Sequence, residues 1–331
     1  MANVTVQDIN KLRQITGVGM MDCKKALVEN DGDFDKAINY LREKGQKLAA
    51  KRADRAANEG VVLSKVSDDK SFAAVIMINC ETDFVGKNEA FVAFVQSVLD
   101  TAIVAKAKTI EEVNALEING TKVETLVLDQ LAKIGEKITL SEYKVVEGNA
   151  VYAYTHPGNR MASVVALNKT GFDEAGKNMT MQVVSMRPVA LSKAEVSQNV
   201  IDEEMKVNIE KSKQEQIEKA VNAALKKAGI NPAHVDSEDH MESNMAKGWI
   251  TAEDVARAKD IIAKTTEEKK ANMNEAMIEN IAKGRLEKFF KESTLLSQEY
   301  FADSKQNVES YLKAQASDLT VTAFARLELG A

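Results

Sequence analysis

The chain has 331 residues, 44% of them hydrophobic and 5% aromatic, which is enough for two or three domains with mainly aliphatic cores. Its net charge of −6 argues against a protein that coats nucleic acid, and we expect no direct DNA binding. Two distant cysteines and three scattered histidines fit neither a disulfide framework nor a zinc site. No apolar run reaches membrane-spanning length and no leader opens the chain, so we expect a cytoplasmic protein without a membrane partner.

The first segment, residues 1–45, predicts a small bundle of three helices. Thr5 and Asp8 form a capping box, and two glycines flank the turn after the first helix. Val18, Met20 and Met21 occupy that turn, where they either fill the bundle or contact a partner. A bundle this small is typical of a docking module.

Residues 46–57 predict a helical linker with a basic face that includes Lys47, Lys51, Arg52 and Arg55. An RNA contact usually adds aromatic side chains or further basic clusters, and this segment has neither. We therefore interpret the linker as a solvated helix face.

A turn at residues 80–85 lies between two strongly predicted elements. Residues 71–78 are rich in β-branched side chains and predict a buried strand, whereas residues 88–102 have the apolar spacing of a helix. Phe84 either completes the core, with Asp83 capping the helix, or projects outward beside the Asp83 carboxylate. The pattern alone leaves both interpretations open.

The plan of strand, turn, strand and helix occurs twice between residues 58 and 190, which predicts a duplicated α+β core. The predicted strands and helices are at 61–66, 72–79, 88–102, 109–135, 137–146, 150–155, 161–168 and 173–186. Gly135 is the predicted C-cap of the helix over 109–135. His156 lies in the turn of the second hairpin, where a histidine is usually a surface residue.

Residues 191–292 predict a long antiparallel helical hairpin, called the arm below, inserted into the core. A capping box at Ser192 and Glu195 begins a first helix that continues to residue 228. A mixed loop with His234, His240 and Trp249 follows. A second long helix then runs from Thr251 past Ile281. Its seam is apolar at Val196, Val200, Val207, Ile217 and Val221 and polar near Glu210 and Gln214. Such a seam suits pairing within one chain or with a second subunit in a homodimer. Residues 293–331 return to the core, with a terminal strand that closes the sheet.

The sequence lacks the short motifs of nucleotide-binding and zinc-dependent enzymes, GxxxxGK[ST], GxGxxG and HExxH. Cys80, Asp83 and His156 would be needed for a nucleophilic constellation. However, Cys80 ends a predicted buried strand, and a reactive thiolate needs an accessible, electropositive setting. We therefore expect no enzyme, no cofactor and no metal.

Two motifs carry a family resemblance: GVGMMDCKKAL at residues 17–27 and NCETDFV at residues 79–85. The chain resembles bacterial elongation factor Ts over essentially its whole length, and KIGE at 133–136 and YTH at 154–156 also resemble family segments. The resemblance implies a ubiquitin-associated-like (UBA-like) module at 1–45 and a coiled-coil arm. It also implies a guanine nucleotide exchange factor for elongation factor Tu, the GTPase that carries aminoacyl-tRNA.

The resemblance further implies where the partner is contacted. Val18, Met20 and Met21 would dock on the G domain of the GTPase. The segment Thr82, Asp83, Phe84 and Val85 would insert near switch II and disturb the Mg²⁺ and phosphate site. Ile134, Gly135 and His156 would contact the far side of the partner.

The chain departs from the common family form in three ways. The turn that begins at His156 is one residue longer, the arm carries an insertion within residues 218–268, and we expect the C-terminal module of some members to be absent. An alternative function is that of an RNA-associated interaction protein, which would use the basic linker and the arm.

Overall fold

The computed structural model describes residues 4–330 and has an α+β fold with short antiparallel sheets. The chain divides into two compact units. One unit contains the chain up to Leu191 together with the segment from Leu295 onward. The other unit is Ser192–Thr294. No helix among residues 4–330 has both the length and the apolar character needed to cross a membrane.

Three helices begin the described chain: α1 (Val6–Thr16), α2 (Met20–Glu29) and α3 (Phe34–Lys51). They share a buried cluster that includes Leu12, Cys23 and Leu27. The helix α3 continues through Gly45 and includes residues 46–51 of the predicted helical linker. A Cβ added at Gly45 would lie 3.0 Å from the Cβ of Ala132, so this glycine permits close helix packing instead of ending the helix.

The first half of the core begins with the antiparallel hairpin β1 (Glu59–Val66) and β2 (Phe72–Cys80). A single helical turn, α4 (Asp83–Gly86), and the longer α5 (Glu89–Ala105) follow. The Asn88 side chain accepts hydrogen bonds from the N–H groups of Ala90 and Phe91 and thereby caps α5.

The predicted helix over 109–135 is wrong in its middle. The segment contains α6 (Ile110–Ala115), the small hairpin β3 (Glu117–Ile118) and β4 (Thr121–Lys122), and then α7 (Val123–Ile134). Asn119 and Gly120 have φ values of 53° and 76°, the left-handed pair that a two-residue hairpin turn requires. Gly135 ends α7 at φ 83°, as predicted, and β5 (Thr139–Glu147) follows.

The second half of the core repeats the plan with β6 (Ala150–Thr155), β7 (Met161–Leu167) and α8 (Asp173–Met186). These bounds agree with the sequence prediction to within one residue. A short 3₁₀ turn at Lys193–Glu195 then begins the second unit.

The second unit contains four helices: α9 (Gln198–Lys227), α10 (Glu238–Ala246), α11 (Ala252–Ala271) and α12 (Glu275–Ser293). Three predictions are corrected here. The first helix begins at Gln198 and not at the predicted capping box, the tip loop contains α10, and the return helix is broken. The break occurs because Asn272 ends α11 and the Asn274 side chain accepts the N–H of Met277 to start α12.

The seam of the arm also differs from the prediction. Glu210 and Gln214 are exposed, and Val207, a predicted seam residue, is 60% exposed. The buried polar residue of α9 is Ser212, and nearby Arg285 of α12 donates to Glu215 at 2.6 Å. The buried face of α9 therefore includes Ser212, which is two residues away from each of the predicted polar positions.

The last segment returns to the first unit through β8 (Glu299–Tyr300), β9 (Asp303–Asn307), α13 (Val308–Gln315) and β10 (Val321–Glu328). The two main sheets have strand orders β1-β2-β5 and β10-β7-β6. In each sheet the third strand pairs with the second strand of the hairpin, so the two halves share one topology. The sheets pack face to face through a cluster that includes Val62, Val75 and Val164. Helices cover their outer faces.

Candidate partner-binding site

The turn after β2 presents an aromatic side chain to solvent. Phe84 lies in α4 and is 84% exposed, so the interpretation that it completes the core is wrong. Asp83 does not cap α5 either, because Asn88 does. Instead, Asp83 accepts a hydrogen bond from Lys87 Nζ at 2.6 Å, and this contact holds the pKa of the Asp83 carboxyl below its ordinary value. The turn therefore exposes an apolar ring next to a charged carboxylate.

The base of this turn is seated firmly on the core. Val85 is half-buried and packs against the cluster under the first sheet. A Cβ added at Gly86 would lie 2.8 Å from the carbonyl oxygen of Gly60, so only glycine allows α4 to approach β1 this closely. Phe84 is thus an exposed side chain on a backbone that has little freedom to shift.

Two carboxylates that the sequence analysis did not select hold the same turn. Glu136, just after α7, accepts the N–H of Glu81 at 3.1 Å, the N–H of Thr82 at 3.0 Å and the Thr82 hydroxyl at 2.7 Å. Glu81 in return accepts the N–H of Lys137 at 2.6 Å. We call this reciprocal pair of carboxylates, Glu81 and Glu136, the brace.

The brace also reaches the end of α3. Arg52 Nη1 donates to Glu81 at 2.6 Å, and Arg55 Nη1 donates to the other Glu81 oxygen at 3.1 Å. The prediction of a solvated side chain is therefore wrong for Arg52, which is 22% exposed and pairs with a carboxylate 29 residues away in the sequence. Arg55 has the same partner but stays 59% exposed. The N–H of Lys137, together with the two guanidinium groups, lowers the pKa of Glu81 to about 2.

A groove of about 340 Å³ brings together two of the predicted contact segments. Val18 and Gly19 from the turn before α2 line it, together with Ile134 and Gly135 from the end of α7. Ile134 is half-buried against the first core cluster. The prediction that Val18 is an exposed contact is wrong, since it is 6% exposed and belongs to the cluster of the N-terminal helices. Met20 and Met21 of the same turn are exposed.

His156 is exposed at the turn between β6 and β7. Its Nδ1 lies 3.0 Å from the Tyr154 hydroxyl, and the two rings meet edge to face. The same turn contacts β1, because the N–H of Val62 donates to the carbonyl of Asn159 at 2.8 Å. Since α4 contacts β1 at Gly60, the Phe84 turn and the His156 turn lie along the same end of this strand.

Comparison with known proteins places the chain in a family. The family model described as Elongation factor TS matches residues 81–230 and 207–331. The chain is 54% identical to elongation factor Ts of Bacteroides fragilis and 53% identical to that of Parabacteroides distasonis, each over 329 residues and 99% of both chains. It is 38% identical to elongation factor Ts of Flavobacterium psychrophilum over 332 residues and the full length of both chains. The chain belongs to the elongation factor Ts family.

The predicted contact residues fall within these matches to the elongation factor Ts family. Residues 82–85, 134, 135 and 156 lie inside the first range matched by the family model. Met20 and Met21 precede that range, but the alignments with the Bacteroides and Parabacteroides proteins cover 99% of the chain and include them. The matched region therefore contains both the exposed turn and the exposed methionines.

The local chemistry of this elongation factor Ts homologue does not favour a nucleophile at the turn. Cys80 is buried, and burial raises the pKa of its thiol to about 11. A thiol with this pKa stays protonated near neutral pH, so it is a poor nucleophile. Within residues 4–330, no group of three or more His, Cys, Asp or Glu side chains is arranged to hold a metal ion. The exposed groups of the site are suited to non-covalent contact.

Proposed function

We propose that this elongation factor Ts homologue is a guanine nucleotide exchange factor that binds elongation factor Tu and promotes release of GDP during translation elongation. The observation that carries the proposal is Phe84, which is 84% exposed on a turn that the core and the brace hold in place. An exposed phenylalanine loses roughly 1.5–3 kcal/mol of hydrophobic stabilisation by remaining in water, so a protein partner that buries it binds more tightly.

The mechanism needs no covalent step. A GTPase holds GDP largely through its phosphates and Mg²⁺. In the proposed complex, Phe84 and Asp83 insert near switch II and favour a conformation in which that site is distorted. By linkage, a factor that lowers the affinity for GDP has its own affinity lowered by GDP to the same extent. The exchange factor therefore dissociates again when nucleotide rebinds.

The other contact residues supply affinity in this proposal. Met20 and Met21 dock on the G domain, because flexible exposed methionines adapt well to an apolar partner surface. Ile134, Gly135 and His156 contact the far side of the partner, and Thr82 and Val85 support the inserted residues. Val18 is assigned to the core of the N-terminal helices because it is buried.

The domain assignment is part of the same proposal. A UBA-like module at 1–45 is followed by the linker segment 46–57 and the two-part core at 58–190. The coiled-coil arm at 191–292 precedes the return segment 293–331. The RNA-associated alternative loses its main support, because Arg52 and Arg55 of the basic linker are paired with Glu81.

The proposal is tested by the release of a fluorescent GDP analogue from purified elongation factor Tu. We expect the wild-type chain to accelerate release and Phe84→Ala to reduce the acceleration by about tenfold, equivalent to about 1.4 kcal/mol. The thermal midpoint should stay unchanged, because the exposed ring contributes little to folding.

Val104→Ala is the matched control for Phe84→Ala. Val104 is equally exposed, belongs to the same core and lies on the helix α5 outside the proposed site. We expect this variant to retain wild-type exchange. If Phe84→Ala lowers the thermal midpoint and leaves exchange per folded molecule unchanged, Phe84 is a structural residue and the proposal is wrong.

A further inference from the structure

We propose that Glu136 is a positioning residue for nucleotide exchange: it fixes the direction in which the turn presents Phe84, and Glu81 completes the brace from the opposite side. This inference rests on the proposed exchange function. It adds a residue outside the proposed contact set, since Glu136 acts through its bonds to Glu81 and Thr82.

The first argument is that Phe84 has few contacts of its own. With 84% of the residue exposed, its direction is set by the backbone of the turn and not by side-chain packing. That backbone is held from below by Gly86 on β1 and at its start by Glu136. The hydrogen bonds that Glu136 accepts therefore fix residues 81 and 82 at the start of the turn, whereas Gly86 fixes its end.

The second argument concerns Thr82, the residue that precedes α4. A threonine at this position usually caps its own helix by accepting an N–H of the first turn. Within the described residues 4–330, Thr82 makes no such side-chain cap, and its hydroxyl instead donates to Glu136 at 2.7 Å. The Thr82 hydroxyl thus bonds to a residue 54 positions away in the sequence and not to its own helix.

The third argument is that the brace is reciprocal. Glu136 accepts backbone N–H groups from the turn, and Glu81 of the turn accepts the N–H of Lys137 beside Glu136. Bonds of an ionised carboxylate to N–H donors are shorter and stronger than bonds between neutral groups. Glu81 and Glu136 each accept an N–H from the loop that carries the other, and this pair of contacts restricts both translation and rotation of the turn.

The fourth argument is the set of elements that meet at the brace. Glu136 directly follows Ile134 and Gly135, and Glu81 is paired with Arg52 at the end of the helix α3. Ile134 and Gly135 are proposed contact residues themselves, and α3 shares a buried cluster with α2, which carries Met20 and Met21. The brace therefore fixes the direction of Phe84 relative to the surfaces that dock the partner.

Glu136→Gln is the sharpest substitution, because it keeps the size of the side chain and one acceptor oxygen. The neutral amide loses the charge that strengthens these bonds, and its NH2 group can face only the Thr82 hydroxyl, which must then accept instead of donate. Release of fluorescent GDP from elongation factor Tu is measured over a range of exchange-factor concentrations. This series separates the maximal release rate from the half-saturating concentration.

We expect Glu136→Gln to lower the maximal release rate by about fivefold or more while the half-saturating concentration changes by less than about twofold. The decisive measurement is a double-mutant cycle with Phe84→Ala. If Glu136 acts through Phe84, Glu136→Gln should lower the rate by less than about twofold further once the ring has been removed.

Glu147→Gln is the matched control, since Glu147 is a carboxylate of the same core whose partner is Lys108 on the surface. It should leave both kinetic parameters unchanged. All rates are normalised to folded protein, determined from the thermal transition. If Glu136→Gln does not fold, Thr82→Val serves in the same cycle, because it removes only the hydroxyl bond.

Three outcomes would overturn the positioning role. In the first, the maximal release rate of the double variant falls by the product of the two single-variant losses, as for independent residues. In the second, the half-saturating concentration rises while the maximal rate is unchanged. The third is a lower thermal midpoint with normal exchange per folded molecule. Failure of the proposed exchange function has a different signature, since wild-type protein or Phe84→Ala would then already deviate before Glu136 is changed.

Discussion

Val18 and Met21 are three positions apart in one apolar turn, yet they lie in opposite environments. Val18 is 6% exposed and Met21 is 76% exposed. Hydrogen bonding explains part of the difference, because the N–H of Val18 donates to the Thr16 hydroxyl and its carbonyl accepts the Cys23 thiol. These bonds turn the valine inward between α1 and α2, whereas Met21 lies on the outer face of α2.

This contrast predicts opposite effects of two alanine substitutions. Val18→Ala removes two buried methyl groups and should lower the free energy of unfolding by about 1.5 kcal/mol. Met21→Ala should leave the free energy of unfolding unchanged and weaken binding to elongation factor Tu by about threefold or more. Chemical denaturation and a binding titration measure the two quantities. A Met21→Ala variant that binds normally would remove the methionine from the docking surface.

Glu81 gives a prediction about pH. Its pKa is about 2 in the folded protein, against an ordinary value of 4.5, because the Lys137 N–H, Arg52 and Arg55 favour the ionised form. A carboxyl whose pKa is lowered by folding stabilises the folded state fully above the ordinary pKa. This contribution is lost as the pH falls from about 4.5 to about 2.

We therefore expect Glu81→Gln to lower the thermal midpoint at pH 7, and the difference from wild type to shrink across that pH window. Other carboxylates titrate in the same range, but their effects cancel in the comparison of two variants. Glu147→Gln is the control, because its exposed ion pair with Lys108 should contribute little at any pH. A difference that stays constant down to pH 2 would show that charge is not how Glu81 stabilises the fold.

At the scale of elements, the sequence predicts best where the signal is local. The predicted bounds of β6, β7 and α8 agree with the structure to within one residue. Short apolar runs bounded by turn residues indicate the strands, and Pro188 disfavours helix in the residue before it, so these signals come from neighbouring residues. The continuous helix predicted over 109–135 is wrong because Asn119-Gly120 forms a two-residue hairpin turn in its middle. This pair of residues is itself a local signal of a turn.

Other differences depend on contacts between distant segments and could not be read from local patterns. The need for glycine at position 45 follows from the close approach of Ala132, which no local pattern indicates. The brace joins residues 54 to 56 positions apart, and Glu81 and Glu136 resemble ordinary surface carboxylates in the sequence. The motif at residues 79–85 contains the exposed turn, but only the fold reveals how that turn is held.

At the scale of the whole molecule, the arm is inserted into the second half of the core between α8 and β8, ahead of the third strand β10. The points where the chain leaves and re-enters the core are joined by backbone bonds, from Leu295 N–H to Ala190 and from Leu296 N–H to Leu191, at 2.9 and 3.0 Å. The core therefore holds the two ends of the insertion side by side. A change in the length of the arm need not disturb β10 or the sheet that it completes.

The distal part of the arm has a core of its own. Leu225, Val235, Met241 and Ile250 form a buried cluster there, and Trp249 at the tip is exposed beside His234 and Lys247. Glu218 of α9 and Thr266 of α11 line the same cavity, so the chain can be cut at this level and rejoined. The ion pairs Lys213–Glu275 and Glu215–Arg285 join α9 to α12 and would remain on the shortened arm.

We predict that the distal arm, residues 218–268, is dispensable for nucleotide exchange and serves association with a second subunit or another partner. The reason is that Phe84, Glu136 and His156 all belong to the first unit, whose sheets are complete without this segment. A variant in which a short Gly/Ser turn replaces 218–268 should release GDP at the wild-type rate. Its molar mass in solution, measured alongside, reports on self-association, and Trp249→Ala controls for a contact made by the tip alone. If the shortened variant is folded and monodisperse but has lost exchange, the arm contacts the GTPase and the exchange surface extends beyond the core.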